Sequence, residues 1–175
     1  MADLRDTISD HLSGFEKLVN KIPGYKGYKE KEMRREADTL LRNQLAQQLG
    51  DQLRRAEDVT NQMLTGPGLS QLDEMGKGNT RLQTFVDKVK TAAQGYAGFF
   101  DAVKVKEEQL DTLYEFDQGM LAQVDEIAAA IDAVQAALDS SDSVAIAPAV
   151  RGYVKTVSDT SSAFDKRKDA ILGLV

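Results

Sequence analysis

The sequence predicts an all-α protein: an elongated up-down bundle of four long helices plus a short N-terminal helix, in one domain over 1–175. Three observations carry that prediction. Apolar residues from Leu72 to Leu138 recur at steps of three and four, the heptad signature of packed helices. Only three prolines occur, Pro23, Pro67 and Pro148, each at the edge of an apolar-periodic segment. The 175 residues suffice to bury a core without staples, and there is no Cys from which to build one.

The elements follow in order. Asp3 can cap a first helix whose stripe is Leu4, Ile8, Leu12, Phe15, Leu18, Val19 and Ile22. Pro23-Gly24 stops it, and the link IPGYKGY holds Tyr25 and Tyr28. A long helix should then run from about Lys29 to Leu64 along Met33, Ala37, Leu41, Leu45, Leu49, Leu53, Ala56, Val59 and Met63. Steps of four drift around a helix, so this one should touch more than one neighbour. Thr65-Gly66-Pro67-Gly68 is the clearest turn.

The next stripe is Leu72, Met75, Asn79, Leu82, Val86, Val89, Ala93, Tyr96, Phe100 and Val103, with Gly76 and Gly78 loosening its first turns and setting a regular start nearer Asn79. A further stripe runs through Leu110, Tyr114, Leu121, Val124, Ile127, Ile131, Val134 and Leu138 until Asp139-Ser-Ser-Asp-Ser ends it. The last helix should start at or just before Pro148, a residue tolerated in a first turn. Its stripe is Val150, Val154, Val157, Phe164, Ile171 and Val175, interrupted by Ser161 and Lys168. The run TVSDTSSAF is poor in helix formers.

The heptads carry through the junction at 103–106, so one rod from 72 to 139, roughly 100 Å long, is also allowed. Glu107 on the apolar seam, β-branched Val103 and Val105, and lysines followed by glutamates favour a bend there. With a bend, the two flanking helices pair antiparallel, setting Phe99 opposite Leu110 and Ala93 opposite Phe116. Tyr25 and Tyr28 then join Tyr96, Phe99, Phe100, Tyr114 and Phe116, seven of the eleven Phe and Tyr residues, at one end of the bundle. Lys21, Lys26, Lys29, Lys104 and Lys106 rim them. Aromatics at such a place ordinarily plug the bundle end; with basic neighbours they also suit docking.

Charge and composition remove several classes. The net charge of −6 argues against nonspecific duplex binding, so nucleic acid is not the expected partner. Charge is nonetheless segregated: ten acids and no Lys or Arg in 107–142, seven bases against two acids in 17–35. No apolar run reaches the ~18 residues of a membrane span, and the start, MADLRDTISDHL, has no signal-peptide pattern. His11 is the one histidine, which leaves metal clusters without ligands. Gly66-x-Gly68 and Gly76-x-Gly78 lack the rest of any phosphate fingerprint, and no Gly-x-Ser-x-Gly elbow occurs. Asn79 and Asp117 interrupt apolar stripes, where polar residues most often fix register. Neither has an acid–base partner identifiable in sequence.

The stretches IPGYKGYKEKEMRREAD and GYAGFFDAVKV resemble uncharacterised all-helical bacterial proteins. The resemblance covers roughly residues 20–120, implies a bacterial cytoplasmic setting, and brings no activity or ligand with it. The function expected is a non-enzymatic interaction or scaffold module, without catalytic, metal or cofactor residues. It binds a protein partner, with self-association as one form of that. Its surface is Tyr25, Lys26, Tyr28, Lys29, Tyr96, Phe99, Phe100, Lys104, Lys106 and Tyr114. Peripheral binding to an anionic membrane is the alternative. A carrier of a small apolar ligand, held where Gly95 and Gly98 thin the packing, is the second alternative.

Overall fold

The computed structural model describes residues 25–102, 107–140 and 143–166, and the side chains of 40–92, 116, 119–140 and 143–166. Four helices occupy them: α1 (Tyr25–Met63), α2 (Leu72–Ala102), α3 (Glu107–Asp139) and α4 (Ser143–Asp165). A single 3-10 turn, Leu69–Gln71, leads into α2, and there is no strand among the described residues. The expected N-terminal helix lies outside the described residues.

Which helices touch decides the topology. α1 packs on α2 and on α3, and α4 packs on the same two. No comparable contact joins α2 to α3 or α1 to α4, so those pairs are the diagonals of the bundle. Cross-links fix the directions. Arg55 meets Asp132 and Gln62 meets Gln135, so α1 and α3 run parallel. Arg81 meets Ser158 and Lys88 meets Asp165, so α2 and α4 do too. The chain therefore reverses between Ala102 and Glu107, as a bundle demands and a rod forbids.

The expected side-by-side pairing of the helices flanking that reversal is not what the fold uses. Interaxial distances of about 8–10 Å put diagonal partners about 14 Å apart at most. The five Cα steps from Ala102 to Glu107 span up to about 18 Å, enough to cross. α1 thus has α2 and α3 as its two neighbours, which its drifting stripe of leucines can serve. Leu45, Leu49 and Met63 are fully buried on it.

Three boundaries also differ from the sequence pattern. α1 already includes Tyr25–Tyr28, inside the expected link, where only Gly27 opposes helix and Lys, Glu, Met and Arg follow. α2 runs through Gly76 and Gly78 from Leu72. α4 begins at Ser143, with Pro148 inside it. That proline removes one backbone donor from the second turn, where burial of Ile146 and Val150 on either side holds the helix in place. Burial also overrides the weak helix formers after Val154. Val157, Thr160 and Phe164 are buried, and the Ser158 hydroxyl donates to the Val154 carbonyl at 2.8 Å.

One continuous core runs through the part of the bundle whose side chains are described. Phe85 of α2 meets Phe164 of α4 edge-on, with centroids 5.7 Å apart, the offset geometry that aromatic quadrupoles favour. At the α1–α2 turn, a Cβ on Gly68 would stand 2.8 Å from Met63 Cγ and 2.9 Å from Leu138 Cδ2. Glycine there lets the turn lie directly on the end of α3.

Candidate functional site

The expected interaction residues lie in the half of the bundle away from Gly68. Tyr25, Lys26, Tyr28 and Lys29 are on the first turns of α1, Tyr96, Phe99 and Phe100 on the last turns of α2, and Tyr114 near the start of α3. Their side chains lie outside the described residues, as do Lys104, Lys106, His11 and the Asp117 side chain. Helical rise nonetheless separates them in two tiers. Counting back from the Gly68 turn, Phe100 and Tyr114 stand about 42 and about 38 Å along their helices, and Tyr25 about 57 Å along α1. The start of α1 therefore projects past the junction of α2 and α3. Gly95 and Gly98 fall in the same half, outside the described side chains.

The polar site that the structure does resolve is internal. Tyr153 of α4 is fully buried, and its hydroxyl donates to Asn79 Oδ1 at 3.0 Å. Asn79 Nδ2 donates in turn to Thr60 Oγ1 on α1 at 2.9 Å, and the Thr60 hydroxyl donates to the Ala56 carbonyl at 2.7 Å. Three helices are thus tied by one chain of hydrogen bonds, in which half-buried Asn79 and Thr60 answer the hydroxyl of buried Tyr153. The Tyr153 ring lies on the backbone of Gly78, where a Cβ would be 2.5 Å from its Cε1. Burial pushes the Tyr153 hydroxyl well above the ordinary tyrosine range, and the nearby Glu57 charge pushes the same way.

Asn79 was visible in sequence as a polar residue on an apolar seam; Thr60 and Tyr153 were not. Their one signal was position, since Tyr153 lies three residues beyond Val150 and beside Val154. A buried ring that ionises with difficulty suits a structural clamp better than an acid or base near neutral pH.

The outer surface is conventional. Arg55 and Asp132 pair across α1 and α3, with Gln135 bonded to Gln62 and Asp139 at 2.8 Å. A shallow groove between them has Val59 and Ile131 in its lining. Exposed pairs such as Glu74–Lys77 and Lys155–Asp159 stitch single helices. Lys77 holds Glu74 below its usual carboxylate range, and Asp159 raises Lys155. No group of three or more His, Cys, Asp or Glu that could hold a metal ion occurs among the described residues.

At the pole formed by the α1–α2 turn and the start of α4, three large apolar side chains face solvent: Leu64 (56% exposed), Leu69 (59%) and Val144 (80%). No helix of the described residues is long and apolar enough to cross a membrane. No protein-family model matches the chain, and neither a curated protein nor a solved structure does.

Proposed function

We propose that the chain is a non-enzymatic helical module that binds a protein partner through the pole where α1 begins and α2 hands over to α3. The supporting observation is the reversal between Ala102 and Glu107. It sets Phe99, Phe100 and Tyr114 in one half of the bundle with Tyr25, Lys26, Tyr28 and Lys29, and leaves the other half to a continuous core. Aromatic anchors beside cations are the composition of interface hot spots. The first turns of α1 extend the helix past that junction and carry Tyr25, Lys26, Tyr28 and Lys29.

Photo-crosslinking tests the proposal. A benzophenone side chain replaces Tyr28, Phe99 or, as control, exposed Ala129 in the middle of α3. Protein adducts at 28 and 99 and none at 129 are the expected result. Equal adducts at all three, or none at 28 and 99, would overturn it. Co-flotation with anionic vesicles, abolished by Lys26→Glu and Lys29→Glu, would assign the same pole to a membrane surface instead.

A further inference from the structure

We propose that the opposite pole, the α1–α2 turn with the start of α4, docks the lysine-bearing start of α1 from a second copy, so that molecules associate head to tail. This deepens the function proposed above by naming the lysine pole's partner, and it rests on that reading.

Four large apolar side chains are exposed among the described residues, and three of them, Leu64, Leu69 and Val144, share this pole. The 3-10 turn carrying Leu69 packs against α4, which brings the three together. Scattered single leucines need no explanation, whereas a cluster at one place does.

The tip that carries that cluster has acids and no base, while Lys77 and Arg151 lie further along α2 and α4, within electrostatic reach of Glu74. Residues 56–76 and 107–150 contain no Lys or Arg, while Asp73 and Asp139 are exposed at the pole itself. Neither α1 nor α3 carries a basic residue in its last turn to offset its C-terminal carbonyls. The complementary surface is therefore apolar or aromatic side chains interleaved with cations. The first turns of α1 carry that pattern: Tyr25, Lys26, Tyr28, Lys29, Lys31, Arg34 and Arg35, against Glu30 and Glu32.

The two surfaces cannot meet within one molecule, since α1 alone holds them about 57 Å apart. The contact must be between copies, and it is heterologous: each molecule offers one pole and receives the other. Such contacts propagate as open chains unless rotation closes a ring. A bundle end about 20 Å across buries about 400 Å² per partner, well under a standard interface, so the association is weak. Its charge component makes it sensitive to salt.

Static light scattering up to about 1 mM protein, in about 0.02 M and about 0.5 M salt, reads the assembly. One variant blocks the turn pole (Leu64→Asp with Leu69→Asp), another the lysine pole (Lys26→Glu with Lys29→Glu). Circular dichroism confirms that both fold. The unsubstituted chain should rise at low salt past about twice its monomer mass, beyond a dimer, and fall back at high salt. Each variant alone should stay monomeric, and an equal mixture should stop at a one-to-one dimer, because each copy keeps one working pole.

A monomer throughout, or a mixture that stays monomeric, overturns head-to-tail docking. If crosslinks to another protein at 28 and 99 persist in that case, the lysine pole still binds a partner and only the self-partner falls. Association of the lysine-pole variant as strong as that of the unsubstituted chain would overturn both.

Discussion

Gly76 and Gly78 stand two residues apart on α2, and alanine should act with opposite sign at each. A Cβ on Gly76 meets nothing within 4 Å, so Gly76→Ala gains only helix propensity, about 0.5–1 kcal/mol. At Gly78 the added carbon would lie 2.5 Å from Tyr153 Cε1, 2.8 Å from Cδ1 and 3.2 Å from Val154 Cγ2. Neither neighbour is the free end of a flexible chain, because the ring is fully buried and its hydroxyl is bonded to Asn79. Relieving the overlap moves the ring by about 1 Å, with an overpacking cost of about 1–3 kcal/mol. The Asn79 hydrogen bond is weakened as well, a loss of about 1 kcal/mol. Propensity offsets roughly one of these kilocalories, leaving Gly78→Ala destabilised by about 1–3 kcal/mol. In a chain of this size that lowers the melting midpoint by about 2–4 °C per kcal/mol. Urea titration followed at 222 nm measures both variants, and Tyr153→Leu supplies a background in which the clash is absent. The geometry is refuted if Gly78→Ala raises the urea midpoint as Gly76→Ala does, or if its cost is unchanged beside Leu at 153.

Asn79→Ala strands the Tyr153 hydroxyl and should cost about 2–4 kcal/mol, while Tyr153→Phe costs about 1; a double-mutant cycle should return a coupling of at least about 0.5 kcal/mol, and additivity would deny the bond. Tyr153 has a raised folded pKa, so its stabilising share is whole below the unfolded value near 10 and is lost as pH climbs above it. Absorbance at 295 nm should show one tyrosine ionising late, together with unfolding, and Tyr153→Phe should abolish that late step. Leu64→Asp with Leu69→Asp should cost no more than about 2 kcal/mol, since both side chains are more than half exposed and the acids oppose the dipole of α1; a larger loss in urea would show that the turn pole belongs to the core.

The architecture was legible in sequence where periodicity was strong. Leu45, Leu49, Met63, Val86, Ile131 and Val134 were read as core from their spacing, and all are buried. Periodicity says which face is apolar but not which neighbour covers it, so the diagonal placement of α2 and α3 was invisible. Phe85 and Tyr153 escape for a related reason: each widens a stripe by one position because its helix has two partners, whereas Ile146 extends the Val150 stripe back past Pro148. At TVSDTSSAF the apolar stripe predicts the helix against weak propensity and the helix is there, while at Pro148 burial on both sides carries the helix back to Ser143. Of the proposed interaction residues, topology gives only that those on α1, α2 and α3 share one half of the bundle, in two tiers of height.

The internal network acquires a purpose from that topology. Two arrangements satisfy the same apolar stripes: one with each helix beside its sequence neighbours, and the observed one with α2 and α3 on a diagonal. In the first, α4 lies across the diagonal from α2, about 11–14 Å away, and the Tyr153 ring cannot rest on the backbone of Gly78. In the second, Thr60, Asn79 and Tyr153 close a chain across α1, α2 and α4, and Lys88 reaches Asp165. Polar atoms left without partners in a core cost far more than paired ones gain. The network therefore disfavours the wrong arrangement more than it stabilises the right one. The hypothesis predicts that Thr60→Val, Asn79→Leu and Tyr153→Phe together leave stability within about 2 kcal/mol, because an apolar set replaces a satisfied polar one. They should nonetheless blur the choice of neighbours, doubling amide cross-peaks along α2 and α4. A single set of peaks with α4 still on α2 would mean that packing alone selects the diagonal.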